Sequence, residues 1–520
     1  MKTGDFVETT AMRRAALRAC RTLGLALAIS AGLATMQPAY AAGTDVRIAL
    51  SGGIDQLDPA RTANGPDLAI ISQIYDTLLV LDPKTGKLLP HLATSYSLKE
   101  PTLWEFKLRN DVRFQDGKPL TADDVKYSID RILNPATNSL HAPQLASVAE
   151  VISVDPATVQ IRTKAPDPLL PRRMQPIGGS GRVFIVPKHY FESHSQQEVN
   201  DKPLGSGPYK LAEWRKGTSL TLERNPGYWG QKPDATSGRF TFIPENGTRV
   251  NALLQGEVDI IQRVPIADVD RIEKAQNTKV ITSMDGLVHT LLLDSRKPPF
   301  NDIKVRKAFA ESLDINNIVT HLLGKYGRVL AVPMAPTVVQ YDKSIKPYQT
   351  DRKAAKAVLG GKPIELKTYT SDGRYVNDRD IYQAINAQLN STGFKIQPQV
   401  MEWGRLISLM QTRSGGPFYI IGWDFGEGDA SKINSILNSG SPLSVTNDPE
   451  FDRLAAQAGS QMDDAKRTEA WKAAQKLVND RYYVAAVWQA ASIYGFSKRL
   501  QWDARFGDNF DLATVKVAAQ

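Results

Sequence analysis

The sequence predicts an α/β protein of two mixed lobes behind a removable export signal, and three observations carry this. The chain has 520 residues, 42% hydrophobic and 23% charged, an ordinary globular composition long enough for two or three domains of about 100–200 residues. Alternating segments of strand type are interleaved with segments of helical period through both halves of the chain, the pattern of mixed sheets with packed helices. The one long apolar run stands near the N-terminus, and no fixed-period repeat is visible.

That run reads as an export signal. Arg13, Arg14, Arg18 and Arg21 precede Leu23–Leu33, an apolar stretch too short for a bilayer that needs about 20 residues. Ala39-Tyr40-Ala41 then supplies a small-x-small cleavage pattern, so the mature chain is expected to begin at Ala42. Residues 1–41 contain five basic and two acidic residues, and their removal leaves 59 basic against 53 acidic, a net +6 instead of +9. No block of like charge accompanies this mild excess, which gives no support to nucleic-acid or membrane-surface binding. The sole cysteine, Cys20, lies in the signal, so the mature chain has no thiol, disulfide or Cys-ligated metal. These features fit the periplasm.

The elements follow in order. Val46–Leu50 alternates and ends in Ser51-Gly52-Gly53, a strand entering a turn. Residues 67–81 have a helical period. Trp104–Leu108 and Val112–Phe114 read as strands, with a hairpin-type turn at Gln115–Lys118. Thr121 caps a helix whose first turn carries Asp123 and Asp124 and whose buried face carries Val125, Ile129 and Ile132. Strand alternation returns at 158–162, 219–223 and 239–243. Beyond residue 300 helical periods dominate, at 304–324, 351–359, 378–391, 448–458 and 463–480, with strands at 364–369, 395–400 and 418–423.

Catalytic spacings are missing. There is no H-E-x-x-H, no phosphate-binding G-x-x-x-x-G-K-[ST] and no G-x-S-x-G elbow. Gly178–Gly181 and Gly205–Gly207 lack the spacing of phosphate or serine loops, and His189 and His194 do not share a helix face as zinc ligands would. The expectation is a protein that is not an enzyme and has no metal or cofactor.

Several segments in order resemble the bacterial extracytoplasmic solute-binding proteins, family 5, which serve peptide, nickel and opine ABC importers. They are Leu120–Val125 with Tyr127-Ser128, Pro203–Tyr209, Glu223–Trp229 with Lys232-Pro233, Asn251–Ile260, Asn301–Phe309, Gly422-Trp423 and Pro449–Leu454. The resemblance implies the two-lobed periplasmic-binding-protein fold of the large peptide-binding type, with an extra subdomain in the N-terminal lobe. Its expected divisions are the signal at 1–41, an N-terminal lobe at 42–285 with the subdomain at about 60–200, a C-terminal lobe at 286–490 and a return segment at 491–520. Most of these motifs read as architecture. Gly205 and Gly207 permit tight backbone, Tyr228 and Trp229 pack a lobe surface, Arg306 ties its helix to a carboxylate, and Asp259 caps a turn.

The ligand residues implied by the resemblance lie in the cleft between lobes. Gly422–Asp429 is delivered there by the strand at 418–421, and Trp423, Asp424, Phe425 and Asp429 are its candidates. Where peptide-binding members hold the ligand's ammonium with an aspartate, this chain has Gly426, so Asp424, Glu427 or Asp429 would supply the charge. In Ser371–Asp378, Arg374 corresponds to a clamp for the ligand's carboxylate, suited to it by a planar fork of donors; a salt bridge with Asp378 or Asp380 is the structural alternative. Tyr375 accompanies it, and Trp403 matches an aromatic that stacks on ligand or packs the core. Ile54 and Asp55, after Gly52-Gly53, correspond to the opposite wall, where open backbone could pair with an extended peptide. The implied function is capture of a small solute, first a short peptide, by lobe closure and delivery to permease and ATPase subunits, by a monomer. An opine, sugar conjugate or oligosaccharide is the alternative, followed by a nickel chelate, a sensor partner and a secreted hydrolase.

Overall fold

The computed structural model describes residues 44–82, 85–176, 182–284, 286–371, 374–425, 428–502 and 510–518. The expected signal, the loop Gly178–Gly181, Asp372-Gly373, Gly426 and Glu427 lie outside the described residues.

The first strand, β1 (Asp45–Leu50), is flanked by parallel neighbours, and both of its faces are covered. Val46, Ile48 and Leu50 enter one apolar cluster and Ala49 another, as a central parallel strand requires. The other strands of its sheet are β8 (Tyr209–Arg215), β9 (Ser219–Arg224), β10 (Ser237–Phe242), β11 (Ile260–Ile261), β12 (Thr278–Ser283) and β19 (Ser492–Ser497), in the order β12-β19-β11-β1-β10-β9-β8. Asp259, expected to cap a turn, instead binds Arg47 Nη2 at 2.9 Å and Arg499 Nη2 at 2.6 Å. It thereby joins β1 to the chain's return segment. Burial opposes its charge, but the bonds from Arg499 and Arg47 hold its carboxyl below the usual range.

A separate four-stranded sheet, ordered β4 (Ala93–Glu100), β5 (Leu103–Leu108), β7 (Thr158–Thr163), β6 (Val148–Asp155), packs on the helix Ala122–Leu133. Val125, Ile129 and Ile132 of that helix are buried as their spacing implies, and the Thr121 amide donates to Asp124 Oδ2 at 2.9 Å. The helix expected over 67–81 runs only from Gly65 to Ile74; Tyr75 is extended and Leu79–Leu81 forms β2, paired with β3 (Leu88–Pro90). Tertiary bonds override the helical period here. Asp76 accepts from Ser206 Oγ at 2.9 Å and Trp229 Nε1 at 3.0 Å, and lies 2.9 Å from His91 Nε2. A Cβ on Gly205 would stand 2.1 Å from the Ile74 carbonyl oxygen, and one on Gly207 2.6 Å from that of Gln73. Close backbone approach, rather than turn conformation, fixes these glycines.

The second sheet is ordered β14 (Gly327–Leu330), β18 (Val484–Ala490), β13 (Leu287–Leu293), β17 (Phe418–Asp424), β15 (Ile364–Ser371), β16 (Phe394–Met401). The chain crosses from the first sheet to the second between Ser283 and Leu287, and returns between Ala490 and Ser492. The helix expected over 304–324 is two, Ile303–Glu311 and Ile315–Leu322, because Asp314 caps the second by accepting from the Asn317 amide. Arg306 does not meet a carboxylate as expected. It donates to the carbonyls of Arg481 and Phe300 at 2.8 and 2.6 Å and lies over the Tyr483 ring.

Candidate functional site

The local chain order builds a crevice. After β15 comes helix α1 (Asp378–Thr392), then β16, then helix α2 (Trp403–Gln411), then β17. β16 lies on one side of β15 and β17 on the other, all three parallel. Helix α1 buries Ile381, Ile385 and Leu389 with Phe394 on one face, while α2 buries Leu406 and Met410 with Trp423 on the other. β15 is therefore where the winding reverses, and the carboxyl ends on its two sides part; ligands of open α/β sheets sit at such points. The parting is visible in the register, since β15 pairs with β17 only at Thr368↔Phe418 and Tyr369↔Tyr419.

Most residues singled out from the sequence come together at these strand ends. Arg374 and Tyr375 follow β15, Trp403 follows β16, and Trp423, Asp424 and Phe425 end β17. Arg374 is exposed, and its guanidinium lies 3.9 Å from the centre of the Trp403 ring. The salt bridge weighed as its alternative role is not formed. Asp378 instead accepts the backbone amides of Arg374 and Tyr375 at 2.9 and 3.1 Å, and no described carboxylate lies within ion-pair distance of Arg374. Stacking engages the flat face of a guanidinium and leaves the edge that carries its N–H groups open. The same guanidinium also interacts with the Tyr375 hydroxyl and, after the Gly404 and Arg405 amides, lowers the pKa of the Glu402 carboxyl.

Tyr375 takes the place of the missing ladder. The Gly422 amide, left unpaired where β15 departs from β17, donates to the Tyr375 hydroxyl at 3.0 Å. The ring packs edge-on to His289, which stacks on Trp488. Burial pushes the Tyr375 hydroxyl's pKa up and brings that of His289 down to about 3, so the imidazole is neutral. Helix α2 is capped by Glu402, which accepts the Arg405 amide; in α1 the first residue, Asp378, accepts the Arg379 amide, and the N-cap Asn377 makes no side-chain cap bond. Asp424 is half-buried at the end of β17, opposite Leu287.

Three of the expected residues have buried side chains. Ile54 is 1% exposed in the core of the first lobe, Phe425 is fully buried beside Trp423, and Asp429 is 1% exposed. Asp429 binds Arg467 Nη2 at 2.7 Å and the Ser431 amide at 2.8 Å. Burial works against its charge, but Arg467 and these bonds keep its carboxyl below the usual range. The first two side chains are held by apolar packing and the third by a buried ion pair. Asp55 remains exposed, with its amide bonded to Asp67.

Arg172 was not legible in the sequence, being one arginine in an unremarkable Leu-Pro-Arg-Arg run. It belongs to the first lobe, donates to the Gly86 carbonyl at 3.3 Å and lies against Gly428 of the second, where an added Cβ would be 3.3 Å from its Nη1. Gly428 also has φ +68. A groove of about 710 Å³ between the helices Pro449–Ser460 and Asp464–Asp480 lies apart from the strand ends. It is open and lined by helix-surface residues such as Gln457, Lys466 and Glu469, so the convergence of side chains, and not cavity size, locates the site. Among the described residues no group of three His, Cys, Asp or Glu could hold a metal, and no helix is long and apolar enough to cross a membrane.

Known proteins share this architecture. Among curated relatives, the glutathione-binding protein GsiB of Escherichia coli (strain K12) is 27% identical over 477 residues, covering 89% of this chain and 92% of its own. Among solved structures, the substrate-binding protein CtaP of Listeria monocytogenes superposes with a TM-score of 0.83 at 21% identity, over 92% of this chain and all of its own. DppA of Helicobacter pylori, in complex with the peptide STSA, has a TM-score of 0.79 at 22% identity, over 92% and 98%. These structures show the two-lobed fold. Residues 87–444, more than half the chain, match the family described as "Bacterial extracellular solute-binding proteins, family 5 Middle", and the chain belongs to that family.

Proposed function

We propose that this protein is the periplasmic substrate-binding component of an ABC importer, capturing a short peptide and passing it to membrane permease and ATPase subunits. The observation that carries the peptide reading is Arg374, exposed just past the carboxyl end of β15, stacked on Trp403 and with no described carboxylate within ion-pair distance, its charge reaching the Glu402 carboxyl, which it helps to lower. A guanidinium held in that way is a preorganised fork for a carboxylate. GsiB is named for binding glutathione and DppA was solved with a peptide, which supports a ligand with a peptide backbone and a free carboxylate. Closure of the lobes would exclude water from that bond and strengthen it. The solute leaves unchanged, in keeping with relatives that are binding proteins.

The test is mass spectrometry of what the mature protein carries after purification from its own periplasm and mild denaturation. Short peptides or glutathione are the expected result. A single compound without a peptide bond or carboxylate would overturn the peptide reading while leaving the family assignment intact.

A further inference from the structure

We infer that Trp423 Nε1 and Ser371 Oγ form a hydrogen-bond subsite for an oxygen acceptor, either a carbonyl or carboxylate oxygen of the solute or the water that replaces it in the empty protein. Both atoms are buried and neither has a hydrogen-bond partner in the protein. Trp423 is 9% exposed and Ser371 2%. Native interiors rarely leave such groups unpaired, and of the buried indoles unpaired among the described residues, at Trp214, Trp423 and Trp471, that of Trp423 is the one at the parted strand ends.

Their placement makes the pair specific. Tyr369 and Ser371 share one face of β15, by the two-residue period of a strand, and Tyr369 packs on the cluster that contains Trp423, Tyr419 and Ile421. Ser371 therefore projects to the Trp423 side of the sheet. It is the last residue of β15, paired with Met401 on one flank and facing the parted end of β17 on the other. The ladder between β15 and β17 has ended two residues earlier, and Tyr375 already satisfies the Gly422 amide. Continuing that ladder's register, Ser371 lies level with Ile421 and Trp423 two residues farther along the same face, so both belong to the strand ends that lead to Arg374 and Trp403. An indole N–H can only donate, and a serine hydroxyl can donate or accept. The guest must be an acceptor, which selects a carbonyl, carboxylate or hydroxyl oxygen and discriminates against an ammonium at this point.

The inference rests on the crevice being the solute site, not on the solute being a peptide, and the experiments separate the two. A high-resolution crystal structure of the purified mature protein should show an ordered oxygen at about 2.7–3.2 Å from both atoms, belonging to solute or water. An empty gap, or an indole turned to a protein carbonyl, would overturn the subsite. Trp423→Phe keeps the ring and deletes the donor; Ser371→Ala provides an independent variant should the first fold poorly. With glutathione and the peptide Ala-Ala-Ala as probes, each variant should weaken the probe that binds by about three- to tenfold, and an unchanged affinity in both variants would contradict the proposal. Should neither probe bind the unaltered protein, the peptide reading fails, and the crystallographic result still decides the subsite.

Discussion

Asp429 and Arg374 stand on loops leaving the same end of the same sheet, and the protein has treated their charges in opposite ways. Asp429 is buried and held by Arg467, the Gln340 amide and the Ser431 backbone. Arg374 is exposed, braced by an aromatic face and without an ion-pair partner among the described residues. A charge with its bonds complete stabilises the fold and has nothing left for a ligand; a charge that is oriented but unpaired is available to one. Charge type and sequence position alone do not distinguish the two, since both lie in segments that resemble ligand loops.

The comparison can be broken most forcefully at Asp429. Asp429→Ala strands a buried Arg467 and should cost about 3–5 kcal/mol in urea unfolding, with no specific loss of solute affinity beyond the loss of folded protein. The carboxyl's folded pKa is held below the ordinary 3.8. The stabilisation is therefore complete above that value and fades as pH falls through the lower folded value. Arg374→Ala should do the reverse. Losing a charge-assisted bond of about 1.5–3 kcal/mol predicts roughly ten- to hundredfold weaker binding, with thermal stability changed by no more than about 0.5 kcal/mol, as for an exposed site.

A third prediction concerns the neutral His289 beneath the crevice. Its pKa falls from 6.5 to about 3 on folding, so between those values the unfolded chain binds a proton that the folded one refuses. Stability should fall with decreasing pH by about 1.4 kcal/mol per pH unit from this group, reaching its full contribution above pH 6.5. Urea titrations at successive pH values should show this component in the parent and lose it in His289→Gln. The smallest effect is expected from Tyr375→Phe, which unpairs the Gly422 amide where β15 and β17 part. A loss of about 1 kcal/mol, with faster exchange of the Gly422 amide hydrogen, would show that the hydroxyl straps the crevice. Unchanged exchange would remove that role.

The strands expected at 364–369, 395–400 and 418–423 and the helix at 378–391 were legible because each carries a clean period, whereas the helix Trp403–Gln411 between the last two strands was not anticipated. The helix over 67–81 was misread since Asp76 is claimed by His91, Ser206 and Trp229, residues up to 153 positions away. The same limit applies to the site. Arg374, Trp403 and Trp423 were visible as a constellation through their motifs, whereas Ile54, Phe425 and Asp429 were singled out by position along a loop, which does not tell an inward side chain from an outward one. Arg172 and His289 belong to no motif, and their relevance comes from what the chain folds against them.

The most direct test is calorimetric titration of the mature protein and of Arg374→Ala with the solute released on denaturation, or with glutathione where none is released. Micromolar or tighter binding that weakens at least tenfold in the variant, at unchanged melting temperature, is the expected result. Equal affinity in the two proteins would contradict the assignment of Arg374 as the solute's anchor.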